Sequence, residues 1–252
     1  MRSLHFLYHE IRPTQTEYSY VIDVEDFKKH IDLMVAMRAR NDLELYPCVT
    51  FDDGHISNFE YALPILQERG IEAHFFITAG WTGNKPGYMS WQELRSLHAS
   101  GQAIGAHGWS HTLLTHCNAK ELHAELNNSR MILEDKLGAP VTAMSLPGGR
   151  YNRRVLTACE EAGYKQIYTS IPRSEPERHG LTIGRLNIRK DMKLAWIEDL
   201  FNPSKSALPR LERLYQVKAA AQALMGDRMY EKLWAILNRE EPDAHAAEAT
   251  RE

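Results

Sequence analysis

The chain has 252 residues, of which 43% are hydrophobic and 25% charged, proportions that are typical of a globular enzyme and fit one large α/β domain or two small ones. A formal net charge of -3, without any basic block, argues against a nucleic-acid partner. The three cysteines, Cys48, Cys117 and Cys159, form no CxxC pair, which argues against a disulfide framework or a thiolate zinc site and suits a reducing compartment.

The N-terminal sequence MRSLHFLYHEIRP is short and is interrupted by His and Glu, unlike a signal peptide. No run approaches the roughly 18 apolar residues of a transmembrane helix. We therefore expect a cytoplasmic protein for which membrane association is not indicated. Its oligomeric state does not follow from the sequence.

Strand-like runs alternate with helical patterns along the chain. Helices are predicted near residues 25–39, 57–69, 90–100, 119–136 and 151–162, and the fourth begins with a capping pair formed by Asn118 and Glu121. Seven strands are predicted, at residues 4–8, 46–51, 72–78, 102–106, 141–146, 166–170 and 182–188.

This alternation predicts parallel strands that are joined by crossover helices. Such strands form either an open doubly wound sheet or a barrel related to the (β/α)₈ type. Neither a GxGxxG nor a GxxxxGK[ST] motif opens a helix, so the nucleotide-binding open sheet lacks its best marker. We therefore expect an α/β barrel of seven strands over residues 1–190.

The pattern changes after the last predicted strand. Helices are predicted at 192–201 and 206–239, and we expect residues 191–239 to pack on the outside of the barrel as extra C-terminal helices. A membrane-surface or partner helix is the alternative, but the basic residues are too sparse for a lipid-binding face. The polar residues 240–252 are expected to form a flexible tail.

Four predicted strands are followed directly by residues that carry chemistry. These are His9 after the first strand, Asp52 and Asp53 after the second, His107 after the fourth, and the turn Pro147-Gly148-Gly149 after the fifth. The carboxyl ends of parallel barrel strands meet on one face, where barrel enzymes have their active sites. The sequence therefore predicts a functional site that combines carboxylates, imidazoles and a glycine-rich turn.

The spacing of His107 and His111 lets both rings face one point. Two neutral imidazoles and one carboxylate form a three-ligand set that leaves zinc an open position. One of the adjacent aspartates would then bind the metal, and the other would act as a base on water whose pKa the metal lowers. The alternative for the Asp-Asp-Gly stretch is a turn with an Asx cap.

Three motifs give a family resemblance: TFDDG at 50–54, HGWSH at 107–111 and SLPGGRYN at 145–152. Together they resemble the polysaccharide deacetylase family (carbohydrate esterase family 4, the NodB-homology domain), over roughly residues 4–190. The resemblance implies a distorted (β/α)₇ barrel and metal-dependent removal of an acetyl group, usually from an N-acetylhexosamine. It also implies that Asp52 is the catalytic base and that Asp53, His107 and His111 are the metal ligands.

The chain departs from the family pattern in two of these motifs. Gly108 replaces the usual Ser or Thr after the first histidine. Ser145 and Gly148 occupy positions where the third motif usually has Arg and an aromatic residue. The arginine that would orient the base is thus missing, and Arg150, Arg185 or Arg189 are the candidates to substitute for it. The resemblance still implies an oxyanion donor, the backbone N–H of Gly148.

The late Leu-x-x-His motif that supplies the family's general acid is absent, since the last histidines, His179 and His245, lie in a predicted loop and in the tail. However, the stretch FLYHEI at the end of the first strand resembles the permuted branch of the family, typified by poly-N-acetylglucosamine deacetylases, in which an N-terminal strand supplies the acid. The resemblance assigns that catalytic role to His9. The alternative is a buried histidine bonded to backbone.

On the substrate side, we expect contacts from Pro147, Tyr151, Trp109 and His55. Trp91, Trp109 and Tyr151 are candidates to stack on a sugar, although Trp109 serves equally well as an anchor for its loop. His55 is a candidate for substrate contact or for an alternative metal ligand. His74, within a strand rich in Phe and Ile, is expected to be a core residue.

These features together predict a metal-dependent N-deacetylase that acts on an N-acetylated amino sugar in a glycan or in its biosynthetic precursor. Zn²⁺ is the expected metal, with Co²⁺, Ni²⁺ and Fe²⁺ as alternatives. The rival hypotheses are a sugar O-acetyl esterase or cyclic-amide hydrolase on the same scaffold, and a non-catalytic glycan-binding protein. The expected partner is a carbohydrate that contains N-acetylhexosamine.

Overall fold

The computed structural model of the chain describes residues 2–14, 16–40, 44–177, 180–205 and 207–225. The chain divides into two compact units, Met1–Lys205 and Ser206–Glu252. All strands of the described ranges lie in the first unit, and the second contains one described helix.

The helices and strands follow the predicted order. The strands are β1 (Arg2–Tyr8), β2 (Glu10–Arg12), β3 (Val21–Asp23), β4 (Leu45–Phe51), β5 (Ala73–Ile77), β6 (Ala103–Ala106), β7 (Ala143–Ser145), β8 (Gln166–Tyr168), β9 (Glu175–Pro176), β10 (Thr182–Ile183) and β11 (Arg185–Asn187). The α-helices of the described ranges are α1 (Val24–Arg38), α2 (Leu63–Glu68), α3 (Trp91–Ala99), α4 (Ala119–Leu137), α5 (Arg153–Glu161), α6 (Leu194–Asp199) and α7 (Ala207–Met225). A π-helical turn, Asn58–Ala62, precedes α2.

The sheet follows the path β10-β8-β7-β6-β5-β4-β1-β11, in which every neighbouring pair is parallel. The two ends of this path, β10 and β11, are consecutive in the chain and are separated only by Gly184. Because β10 pairs with β8 and β11 pairs with β1, the seventh predicted strand brings the two edges together. The sheet is thus a nearly closed barrel, and the predicted α/β barrel of seven strands is confirmed.

The barrel strands are apolar on both faces, because side chains fill the interior and helices cover the outside. In β1, Leu4, Phe6, Leu7 and Tyr8 are all almost completely buried. Phe51 at the end of β4 stacks on a phenylalanine of β5, with ring centroids 4.6 Å apart. This packing fixes the end of β4, where the two aspartates follow.

The predicted capping pair of α4 is confirmed. The Asn118 side chain accepts a hydrogen bond from the Glu121 N–H, and the Glu121 carboxylate accepts one from the Asn118 N–H. Gly138 ends the helix in the left-handed conformation, which glycine adopts without a steric penalty. The cap sets where α4 begins after the loop that follows β6.

Three short strands were not predicted. β2 and β3 form a small separate parallel sheet, and β9 pairs antiparallel with the beginning of β1. Segments of two or three residues are too short to show a period of two, so they carry no strand signal in the sequence.

The predictions for the C-terminal region can be compared with the structure only in part. Phe201, just after α6, stacks on Phe6 of β1 with ring centroids 5.9 Å apart. The predicted helix 206–239 corresponds to α7 up to Met225. The rest of that helix, the predicted tail at 240–252, and the histidines His179 and His245 lie outside the described residues. Among the described helices, none combines the length and the apolar character that crossing a bilayer requires.

Candidate metal centre and active site

Residues at or just after the carboxyl ends of four barrel strands, together with Arg185 at the start of β11, meet in one site. His9 follows β1, Asp52 and Asp53 follow β4, His107 follows β6, Ser145 ends β7, and Arg185 begins β11. The Arg185 guanidinium lies inside the barrel, above the rings of Phe76 and Tyr168. It therefore approaches the aspartates from the barrel interior.

Asp53, His107 and His111 form a compact cluster. Nε2 of His107 and Nε2 of His111 each lie 3.3 Å from Oδ1 of Asp53. The ligand atoms of all three residues lie within 4.8 Å of one another. Asp53 and His111 have left-handed backbones, with φ of 73° and 64°, which non-glycine residues seldom adopt. Both backbones thus carry strain in the conformation that turns these side chains toward one point.

The cluster suits a divalent metal ion. Oδ1 of Asp53 is buried and has no regular hydrogen bond within the described residues, so it is free to serve as a ligand. Nδ1 of His107 lies 2.8 Å from the carbonyl oxygen of Ser145, to which it donates, and this leaves Nε2 as the unprotonated nitrogen on the side of Asp53. Two imidazoles and one carboxylate are a ligand set that zinc prefers at catalytic sites.

The electrostatics of the cluster also favour a cation. Burial would raise the pKa of Asp53, but His107, His9 and His111 outweigh it, and the pKa lies well below its usual value. Burial and the neighbouring His107 lower the pKa of His111 to about 4, so its ring is neutral at neutral pH, as a metal ligand must be. Burial would lower the pKa of His107, but the two aspartates raise it above its ordinary value.

Asp52 faces a different partner from Asp53. Its Oδ1 accepts from Nη1 of Arg185 at 2.7 Å, and its Oδ2 accepts from Nη2 of Arg185 at 2.8 Å. The Ser145 hydroxyl donates to Oδ2 of Asp52 at 2.9 Å and accepts from Nη2 of Arg185 at 2.7 Å. Arg185 also donates from Nε to the carbonyl oxygen of Thr169. Of the three arginines named as substitutes, Arg185 is therefore the one that holds Asp52.

This buried pair keeps Asp52 ionised. Asp52 is 3% exposed and Arg185 is fully buried. Burial alone would raise the pKa of Asp52, but Arg185 and His107 outweigh it and lower the pKa below its ordinary value. Oδ2 of Asp52 lies 3.8 Å from Nε2 of His107, next to the ligand cluster but outside it. A charged carboxylate thus lies beside the candidate metal position without being a member of the set.

His9 belongs to the same site. Its Nδ1 is buried and has no hydrogen-bond partner within the described residues. Its ring packs on Tyr20 with centroids 5.0 Å apart. Burial lowers the pKa of His9, and the nearby Asp53 and Asp52 oppose that effect. Its protonated form is consequently a stronger acid than an exposed histidine.

The predicted oxyanion turn lies next to the loop that carries the histidines. Gly148 has φ of 64°, and a Cβ atom there would lie 2.6 Å from the end of the Leu113 side chain, so the position favours glycine. A Cβ atom on Gly108 would meet Cγ of Pro147 at 3.6 Å, which shows how closely the turn and the loop approach. Pro147 itself is buried.

The other predicted substrate residues differ in their surroundings. Nδ1 of His55 bonds to the Ser57 hydroxyl at 2.8 Å, and Nε2 lies 3.0 Å from Nη2 of Arg12, so both ring nitrogens are engaged away from the metal cluster. Trp109 is 39% exposed, its carbonyl oxygen accepts from the backbone of Gly80, and its indole borders that glycine. Tyr151 is half-buried.

One aromatic group was missed by the sequence analysis. The Trp81 ring packs on His111 with centroids 5.2 Å apart and on Tyr88 at 4.7 Å. Nζ of Lys85 lies 4.0 Å from the centre of the Trp81 ring. Trp81, Lys85 and Tyr88 belong to the loop after β5. Their position after a barrel strand was the feature of the sequence that could have indicated a place in the site.

The chain resembles proteins of known family. Residues 46–167 match the family model for polysaccharide deacetylase. The putative polysaccharide deacetylase YxkH of Bacillus subtilis (strain 168) is 27% identical over 133 residues, which is 53% of this chain and 47% of the relative. The chitooligosaccharide deacetylase of Bradyrhizobium sp. (strain ANU 289) is 27% identical over 135 residues, covering 53% of this chain and 59% of the relative. The chain thus spans about half the length of these curated relatives.

A solved structure shares the fold. The Streptococcus pyogenes deacetylase PplD in complex with acetate superposes with a TM-score of 0.71 at 19% identity, covering 81% of this chain and 99% of that chain. The matched residues 46–167 extend from β4 to β8 and include the adjacent aspartates, both clustered histidines and the Pro-Gly-Gly turn. The resemblance to the polysaccharide deacetylase family that the three motifs predicted is confirmed over residues 46–167.

Proposed function

We propose that this protein is a metal-dependent glycan deacetylase, a hydrolase that cleaves the carbon–nitrogen bond of an acetamide on an amino sugar. The observation that carries the proposal is the position of Asp52, an ionised and buried carboxylate held by Arg185, beside the ligand set Asp53, His107 and His111. The relatives named as deacetylases support the same chemistry.

The ligand set would hold one divalent ion, with Zn²⁺ as the preferred candidate for its mixed nitrogen and oxygen donors. When bound, such an ion supplies Lewis acidity, which lowers the pKa of water and polarises a carbonyl group. The contribution of the protein is to fix the three side chains. The hydrogen bond from His107 to the Ser145 carbonyl sets the orientation of one imidazole.

Asp52 is the proposed general base. Its bidentate pair with Arg185 fixes the carboxylate and keeps it charged at neutral pH, so it can take the proton of the water that attacks the acetamide carbonyl. Ser145, at the position where the family has arginine, is small enough to leave room for Arg185 and adds a hydrogen bond to the same carboxylate.

His9 is the proposed general acid. As an imidazolium it would donate a proton to the nitrogen of the departing amino sugar, which breaks the carbon–nitrogen bond and leaves acetate. The backbone N–H of Gly148 is the proposed donor to the developing oxyanion. A donor of this kind contributes about 3 kcal/mol, and each acid or base group a further factor of roughly 10²–10⁴ in rate.

Acetate release tests this proposal. The purified 252-residue chain should release acetate from chito-oligosaccharides faster than from matched O-acetylated sugars. Asp52→Asn should reduce turnover by at least about 100-fold, because the amide cannot accept the proton. Faster cleavage of the O-acetyl substrate would favour the esterase hypothesis, and wild-type turnover by Asp52→Asn would reject the base assignment.

A further inference from the structure

The loop between the two clustered histidines depends on a contact with α4. Gly108 has φ of 77° and His111 has φ of 64°, so the loop carries two left-handed residues. Glycine adopts this conformation readily, whereas histidine does so only at an energetic cost. A backbone of this kind persists only where surrounding contacts hold it in place.

Glu125 of α4 supplies several of those contacts, beside the backbone hydrogen bonds from Ala79 and Gly80 to the carbonyl oxygens of Gly108 and Trp109. Its Oε2 accepts from the backbone N–H of Trp109 at 2.8 Å and from the backbone N–H of Ser110 at 3.0 Å. Its Oε1 accepts from the Ser110 hydroxyl at 2.6 Å. One half-buried carboxylate thus binds two successive residues of the loop immediately before His111, through charge-assisted hydrogen bonds.

The glycine at 108 permits this approach. A Cβ atom on Gly108 would lie 3.1 Å from Oε2 of Glu125, tighter than an ordinary contact. A serine or threonine there would press its side chain against the carboxylate. Gly108, which departs from the family motif, therefore leaves the space that the Glu125 carboxylate occupies.

We propose that Glu125 is a positioning residue that sets the metal affinity of the site by holding the 107–111 loop so that Nε2 of His111 faces Asp53. This inference rests on the proposed function, because it assumes that the cluster binds a metal ion. Glu125 itself is not a ligand, since it contacts the loop backbone and the Ser110 hydroxyl.

The test is the affinity for Co²⁺, measured by titration of the metal-depleted 252-residue chain in wild type, Glu125→Gln and Glu125→Ala. We expect Glu125→Ala to weaken binding by roughly 10–100-fold, the usual effect of losing an outer contact of a metal site. Glu125→Gln keeps an acceptor oxygen but loses the charge, so its loss should be smaller.

Glu134→Gln is the matched control. Glu134 lies on the same helix and also accepts from a backbone N–H, that of Val141 at 3.0 Å, but it lies near the other end of α4. We expect it to lower the thermal unfolding temperature of the metal-free chain without changing Co²⁺ affinity. Far-UV circular dichroism establishes that each variant is folded.

A double-mutant cycle with His111→Ala separates positioning from general loss of structure. Because Glu125 acts through His111, Glu125→Ala should change Co²⁺ affinity less than about twofold when His111 is already alanine. Equal affinity of wild type and Glu125→Ala, or an undiminished effect in the His111→Ala background, would overturn the role of Glu125 alone. Failure of the wild type to bind Co²⁺ would overturn the metal centre as well.

Discussion

At the scale of single residues, the two adjacent aspartates have separate partners. Asp52 is neutralised by Arg185 from inside the barrel, whereas Oδ1 of Asp53 faces two imidazoles and has no regular hydrogen bond in the described part of the chain. The left-handed backbone of Asp53 turns its side chain away from the direction an extended strand would give it. The like-charge repulsion that the pair Asp52-Asp53 would otherwise suffer is thereby relieved on both sides.

Arg185→Gln tests the first of these pairs. Removing one partner of a buried ion pair leaves a buried charge, so we expect a loss of about 3–5 kcal/mol in the free energy of unfolding at pH 7. Acetate release should also fall, because Asp52, the proposed base, loses its orientation. Urea denaturation and the acetate assay measure the two effects.

The pH dependence of this loss has a definite sign. Arg185 depresses the pKa of Asp52 in the folded chain, so the stabilisation is fully present above the unfolded value of about 3.9 and is lost as the pH falls through the folded pKa. The difference between wild type and Arg185→Gln should therefore shrink at acidic pH. Arg189→Gln is the control, since Arg189 forms an exposed pair with Asp191 and should change stability by no more than about 0.5 kcal/mol. A similar loss in both variants would contradict the buried-pair explanation.

Residue-level prediction from the sequence had a clear limit. The sequence was sufficient to predict that the adjacent aspartates lie close to His107 and His111. Both groups follow predicted strands of a parallel barrel, and the carboxyl ends of such strands meet on one face. The sequence did not show which of the three candidate arginines holds Asp52, because that depends on which strand closes the barrel. Glu125 gave no signal, because an acidic residue on a helix is usually solvated.

At the scale of secondary-structure elements, the divided seventh strand positions Arg185. Gly184 separates β10 from β11, and its N–H donates to Oε1 of Glu175 at 2.6 Å. The same carboxylate oxygen accepts from Nε of Arg173. Glu175 is 4% exposed, so this junction is held by a buried charged group directly before Arg185.

Gly184→Ala tests the junction. A Cβ atom there would lie 2.5 Å from Cγ of Arg173 and 2.5 Å from the carbonyl oxygen of Ile171, so the chain must shift. We expect a loss of roughly 1–3 kcal/mol in the free energy of unfolding, as for other overpacked sites, with reduced acetate release as Arg185 moves. Gly180→Ala is the control, since a Cβ atom there meets nothing within 4 Å. Urea denaturation in which both variants match the wild type would show that the junction tolerates a side chain.

The elements that the sequence predicted well are those with a long, clear pattern. The seven strand runs and the Asn118 cap of α4 could be identified because burial on both faces and capping leave local signatures. The division of residues 182–188 at Gly184 could not, since the two halves form one continuous strand-like run and only their pairing partners differ. The short strands β2, β3 and β9 depend on tertiary pairing alone.

At the scale of the whole molecule, the nearly closed barrel is what assembles the site. Residues as distant in sequence as His9 and Arg185 become neighbours because β1 lies between β4 and β11. The first strand of the chain thus brings the proposed general acid next to the aspartates, without a late histidine motif. The permuted arrangement predicted from FLYHEI requires His9 to lie in this position, and its role as the acid stays a prediction.

The most direct test of a metal centre beside a catalytic base is the metal content of the purified chain, measured by elemental analysis for wild type and for His107→Ala. We predict close to one equivalent of zinc, cobalt, nickel or iron per wild-type chain and a large loss in His107→Ala, because one of the three proposed ligands is removed. Full metal content in His107→Ala, or a wild type that takes up no metal even on reconstitution, would contradict this assignment of the cluster.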